Sequence, residues 1–153
     1  MTALSQPRTR IHSLFSWIES LVPLSLIQLA ARLAVAGIFF KSGLTKVDGN
    51  WNVTPLTVVL FRDEYKVPVI PPEIAAYMGT FFELTMPILL AVGFLTRLAT
   101  LPLLGMTAVI GLFIYPAGWD THLSWAVMLI LILSRGPGML SLDTALRIEQ
   151  RRW

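Results

Sequence analysis

Apolar positions in this chain gather into four long blocks separated by short polar interruptions, and block length sets the expected fold class. A helix needs about 20 mostly apolar residues to cross a hydrocarbon core about 30 Å thick. Residues 24–44 form one such block, with Arg32 and Lys41 as its charges. Residues 73–94 hold Glu73 at their start and Glu83 inside, and residues 97–115 carry no charge after Arg97. A fourth block, about 120–134, is shorter, with Trp119 and Trp125 read as interfacial anchors. It therefore meets a locally thinned bilayer or sits partly buried among its neighbours. The expected fold is all-α, an integral membrane four-helix bundle over residues 24–135.

Before the first block, Ile11, Leu14, Phe15, Ile18 and Val22 recur at helical spacing, with His12, Ser13, Ser16, Glu19 and Ser20 on the other side. This predicts an amphipathic helix lying in the membrane interface within residues 1–23, with Pro23 turning the chain inward. The first span holds an arginine and no small-residue cleavage motif follows it, so it is expected to be retained. After the fourth block, Ser134-Arg135-Gly136-Pro137-Gly138 breaks the helix, and Ser141 or Asp143 can cap a short amphipathic tail within residues 136–153. The connection 45–72 contains Trp51, the run Phe61-Arg62-Asp63-Glu64-Tyr65-Lys66 and a proline-rich stop, which together predict a short helix ended by prolines.

Composition sharpens this. Of 153 residues, 55% are hydrophobic and 14% charged, well below the roughly 25% charged of a soluble domain. The lipid bilayer is thus the first partner. With no cysteine, the chain has no disulfide, thiolate metal site or dithiol relay of its own. The net charge of +3 is spread along the edges of apolar blocks, which fits topology rather than nucleic-acid binding. Arg8, Arg10, Arg97, Arg135, Arg147, Arg151 and Arg152 fall on one side, against Lys46, Arg62 and Lys66 diluted by acids on the other. Both termini are therefore expected to be cytoplasmic, with the 45–72 connection outside.

Among candidate chemical residues Glu83 comes first, because an ionisable group deep in a span is costly and is usually paired, inward-facing or functional. Counting along antiparallel spans puts Arg32 and Glu83 within about 3 Å of one depth, so a buried Arg32–Glu83 pair is expected at the midplane. Pro87 leaves the Glu83 carbonyl without its helical donor. A fixed pair orienting two helices and a proton, quinone or substrate site both fit. On the first helix Arg32, Phe39, Gly43 and Lys46 share one side, with Gly43 permitting close approach. Lys46 is either a snorkelling interfacial lysine or, with His122, part of an outer polar vestibule. His12 is expected on the opposite membrane face from His122, so the two cannot clamp a haem, and no metal site is expected. Asp63 and Glu64 read as solvated loop charges. Gly105, Ala108 and Gly111 are small enough for tight helix contact, and Pro102 permits a bend. No phosphate loop, dinucleotide fingerprint, paired-His zinc motif or nucleophile elbow is present in the sequence.

Three segments together resemble the DoxX family of small four-helix membrane proteins. They are Phe40-Lys41-Ser42-Gly43-Leu44-Thr45-Lys46, then Phe82-Glu83-Leu84 with Pro87 and Gly93-Phe94-Leu95-Thr96-Arg97, and finally Arg135-Gly136-Pro137-Gly138-Met139-Leu140-Ser141-Leu142-Asp143. The resemblance covers about residues 29–143. It implies a bundle in a prokaryotic cytoplasmic (inner) membrane, linked in relatives to thiosulfate:quinone oxidoreductase, to oxidative-stress complexes and to clusters making copper-binding peptides. The expected function is therefore an accessory subunit of a redox-linked assembly, without an intrinsic cofactor but with quinone as a ligand and a protein partner or homo-oligomer around it. A small transporter or permease-like helper, with Arg32 and Glu83 binding an ion, and a scaffold recruiting an enzyme through residues 141–153 are the alternatives.

Overall fold

The computed structural model describes residues 15–17 and 21–149. Within them the helices are α1 (Leu24–Leu44), α2 (Pro55–Leu60), α3 (Pro72–Val92), α4 (Thr96–Val109), α5 (Trp119–Arg135) and α6 (Leu142–Ala145). A π-helical turn, Phe61–Tyr65, extends α2, a second, Ile110–Ile114, extends α4, and a 3-10 turn, Pro116–Gly118, leads into α5. Four segments are long and apolar enough to cross a membrane: Leu24–Leu44, Pro72–Val92, Thr96–Ile114 and Pro116–Arg135. The fold is an all-α membrane four-helix bundle.

Local sequence sets most boundaries. Pro72 opens α3 where its missing N–H is not needed, and Gly93 closes it in the left-handed region at φ 72°, its N–H reaching Leu89 O and Leu90 O. The chain then turns within residues 93–95 into α4, so α3 and α4 form a tight hairpin. Thr54 caps α2, accepting from the Thr57 N–H. The fourth span is longer than the sequence suggests: Pro116 starts a 3-10 turn that runs into α5, giving 20 residues. No thinned bilayer is required. Trp125 is also not an interfacial anchor, because it packs edge-on against Phe39 at 5.7 Å and His122 at 5.2 Å inside the bundle.

Each spanning helix packs against two others, in the cyclic order α1, α3, α4, α5. Val35, Phe39, Leu90, Leu103, Leu129 and Ile132 fill the centre. Large apolar side chains such as Leu33, Phe81, Leu98, Leu112, Phe113 and Val127 face outward, while Gln28, Arg32, Glu83, Thr96, Thr100 and Thr107 are buried. That inversion is what a lipid surround rewards. The Thr80, Thr100 and Thr107 hydroxyls donate to carbonyls one turn back, so these buried threonines satisfy themselves. Gly105 and Ala108 are exposed, contrary to the expected tight contact, whereas Gly111 does lie against a side chain, that of His122. The interfacial helix expected within residues 1–23 falls largely outside the described residues, as do Arg8, Arg10, His12, Arg151 and Arg152.

Candidate functional site

The bundle has two ends: a loop end, carrying the connection between α1 and α3, and a terminal end, where the chain enters at 21–24 and leaves at 136–149. At the loop end Lys46 follows α1 by two residues. Its carbonyl accepts from the Thr54 N–H at 3.0 Å and the Thr57 hydroxyl at 2.9 Å, which fixes its backbone. Its side chain turns inward, where Nζ donates to Glu83 Oε2 at 2.6 Å and to Ser42 O and Oγ. Lys46 and Glu83 are 3% and 4% exposed, so this is a buried ion pair and Lys46 does not snorkel.

The expected Arg32–Glu83 pair does not form. Depth places the two Cα atoms together, but helical side chains tilt toward their own N-terminus. In antiparallel α1 and α3 that tilt sends Arg32 to the terminal end and Glu83 to the loop end. Arg32 Nη1 donates to Pro137 O at 2.6 Å, and Nη2 to Leu140 O at 2.9 Å and Ala91 O at 3.2 Å. The guanidinium thus closes the C-terminus of α3 and the turn after α5 together. Gln28 Nε2 reaches Arg135 O and Gly136 O beside it. Asp143 does not cap the tail; it accepts from Leu95 N, Thr96 N and Thr96 Oγ1 at 2.7–2.9 Å and so caps α4 from outside, while Ser141 caps α6. The terminal end is a lock made on backbone carbonyls and amides, in which Arg32 Nε and Gln28 Oε1 alone of these side-chain atoms have no partner among the described residues.

Gly43 sets the close approach of α1 and α3 at the loop end. A Cβ there would stand 2.8 Å from Leu84 Cδ2 and 3.1 Å from the Glu83 carbonyl carbon. That carbonyl is the one Pro87 deprives of its helical donor, so α1 comes closest where the α3 backbone is least satisfied. Pro102, within α4, likewise deprives Leu98 of a donor.

Beside the ion pair lies a cavity of about 360 Å³. Its walls include Phe39, Phe82, Trp125, Met78 and Met106, and its polar groups are Ser42, Lys46, Glu83, Tyr65, Tyr115 and His122. Lys46 and His122, expected to share a vestibule, do line this one cavity, together with Glu83; Arg32 does not. His122 is 9% exposed and its Nδ1 has no hydrogen-bond partner. Its side chain occupies a notch made by two glycines, since a Cβ on Gly111 would stand 3.3 Å from its Cβ and one on Gly118 3.2 Å from its Cε1. Phe61, packed on Gly79 and Ala76, pins the π-helical turn over the cavity. The Tyr65 ring lies edge-on to Phe61 at 5.0 Å and to Tyr115 at 6.1 Å, and the Tyr115 hydroxyl donates to Glu64. Burial, helped by the Glu83 and Glu64 carboxylates, pushes the Tyr65 hydroxyl up, while the Glu64 hydrogen bond pushes Tyr115 up to about 12. Both tyrosines therefore stay protonated donors at neutral pH. Sequence reading places Tyr65 in the outer connection and Tyr115 at the end of the third apolar block, but no spacing pattern relates two residues 50 positions apart, so their meeting is missed.

The cavity joins aromatic walls to a few buried polar groups, the pattern of a small-molecule site. The sequence profile of the DoxX family matches residues 27–116. An uncharacterized protein of Haemophilus influenzae is 32% identical over 130 residues, covering 78% of this chain and 82% of that protein. No solved structure matches.

Proposed function

The chain belongs to the DoxX family of membrane proteins, and from that premise we propose that it is the membrane subunit of a redox-linked assembly whose loop-end cavity receives a quinone ring. The observation that carries this is the meeting of the buried Lys46–Glu83 pair with His122 on one wall system of aromatic side chains. His122 and Tyr65 can donate to ring oxygens and Glu83 can accept from a ring hydroxyl, while the Lys46 ammonium, its three protons already on Glu83 and Ser42, supplies positive charge beside them. The quinone supplies the two-electron chemistry when bound, and partner proteins supply the electrons. Arg32 is a fastening of the terminal end rather than a ligand group.

The membrane is a prokaryotic cytoplasmic one, with the terminal end on the cytoplasmic side. Supporting this, the terminal end carries Arg97, paired with Glu149, with Arg135 and Arg147, and the sequence adds Arg8, Arg10, Arg151 and Arg152 to that side, against Lys46, Arg62 and Lys66 at the loop end. The cavity then opens in the outer half of the bilayer. Native mass spectrometry of protein drawn from its own membrane in mild detergent tests the reading. One quinone per protomer, lost in Glu83→Gln with helicity intact, is expected along with a co-purifying redox protein. A chain that carries no quinone and takes none up on titration overturns it.

A further inference from the structure

The cavity is not walled evenly. Its back is buried, with Phe39 from α1 and His122 from α5 at 2% and 9% exposure. Its front is formed by α3 and α4, where Met78 and Gly105 line the cavity and are also exposed to the surroundings of the bundle. These helices are neighbours joined by a tight turn at the terminal end, so the opening lies in their seam, part-way up the spans.

Gly105 holds that seam open. A Cβ built on it would meet no atom within 4 Å, and its backbone is not in the left-handed region. Neither close packing nor backbone geometry calls for glycine here, although glycine weakens a helix interior. Its effect is a gap facing lipid. Toward water the reverse holds: Tyr65 and Tyr115 meet in a T-shaped contact, and Tyr115 is bonded to Glu64, so side chains bridge from the π-helical turn after α2 to the end of the third span.

We infer that the ligand enters sideways from the bilayer, through the α3–α4 seam between Met78 and Gly105. The polar ring passes inward to Lys46, Glu83 and His122, and an apolar tail stays in the seam, in contact with lipid. The ligand class is a ring headgroup on a hydrocarbon tail, and in this the inference rests on the function proposed above. It adds the route, and it makes Gly105 the residue that selects for a tailed ligand.

Quinone binding to the full chain in lipid nanodiscs tests this, read as quenching of Trp125 fluorescence after subtraction of the Trp125→Phe signal. The probes are a decyl-substituted benzoquinone and the same ring without the tail. In Gly105→Leu the side chain extends into the seam. Affinity for the tailed quinone should fall at least tenfold, affinity for the tail-less ring should stay within twofold, and association of both should slow. Gly105→Ala adds one methyl group to open space, folds as the parent does, and should slow association of the tailed quinone about threefold, so a folding failure of the leucine variant does not decide the matter. Unchanged affinity and rate in both variants would overturn the lateral route and leave the proposed function standing. Failure of the parent protein to bind either quinone would overturn both.

Discussion

Removing one member of the Lys46–Glu83 pair should destabilise the protein far more than removing both. The charges stand 2.6 Å apart with both side chains 5% exposed or less. At an effective dielectric of about 20, Coulomb's law gives an attraction of about 6 kcal/mol. Against this stands a desolvation cost of several kcal/mol for each ion, so the intact pair contributes little net stability. In Lys46→Met the attraction and the Nζ hydrogen bonds vanish while the Glu83 carboxylate remains buried, and the expected loss is about 3–5 kcal/mol. Glu83→Leu strands the ammonium, with a loss of the same size. The double variant Lys46→Met/Glu83→Leu strands neither and should lie within about 1 kcal/mol of the parent, a coupling of at least about 5 kcal/mol. Equilibrium unfolding of detergent-solubilised protein, followed by far-ultraviolet circular dichroism, measures all four corners of the cycle. A loss under about 1 kcal/mol in Lys46→Met would refute the buried pair, and a double variant as damaged as the sum of the singles would refute the balance of charge and desolvation.

Arg32→Lys keeps the charge but replaces a planar fork by one ammonium, which cannot reach carbonyls on both α3 and the turn after α5; a loss of about 2–4 kcal/mol and faster proteolysis within residues 136–141 are expected. Asp143→Ala removes the external cap of α4 and should cost about 1–2 kcal/mol, seen as faster amide exchange at Leu95 and Thr96. Gly43→Val should cost at least about 1–3 kcal/mol, and Leu84→Ala should relieve only part of it, because the Glu83 backbone 3.1 Å away cannot retreat as a side chain can; thermal melts of the three variants decide. The Tyr115 proton is held more tightly in the folded state, so this contact's contribution is complete below about pH 10 and is lost as pH rises through about 12. Phenolate absorbance, taken as the difference from Tyr115→Phe, should show that midpoint, and Glu64→Gln should bring it down toward 10.

Span number and position are legible in the sequence because length and apolarity alone decide whether a helix can cross a bilayer. Residues 24–44 and α1 coincide, and the inward side containing Arg32, Phe39, Gly43 and Lys46 is the buried one. What is not legible is direction. Counting residues gives a Cα depth, and by depth Arg32 and Glu83 are partners, yet opposite helix polarity sends their side chains about a turn apart in opposite senses. The same tilt, applied to Lys46 just beyond the end of α1, points it back toward Glu83. The fourth span looks short because the apolar block starts only near residue 120, whereas Pro116, at the start of a helical turn, extends the helix before it. The cavity is the least legible feature, because Tyr65, Tyr115 and the glycine notch around His122 come from separate connections that meet only in the folded bundle.

The two ends of the bundle solve opposite problems with similar residues. At the terminal end a buried cation is surrounded by backbone carbonyls, and a buried carboxylate by backbone amides, so charge is spent on closing helix ends and joining turns. At the loop end the buried cation and carboxylate bond directly to each other beside a cavity, where His122 Nδ1 has no partner, just as Arg32 Nε and Gln28 Oε1 have none at the terminal end. An unsatisfied buried polar group costs stability, and a small bundle tolerates it only where the rest of the structure is over-determined. The lock at the terminal end provides that rigidity while the loop end stays incompletely packed. It follows that variants at Arg32 or Asp143 should lower stability without changing which ligand binds, variants at His122 or Gly105 should change binding at smaller cost to the fold, and single variants at Glu83 should change both. A ligand preference that moved with Arg32 would mean the two ends are not separate.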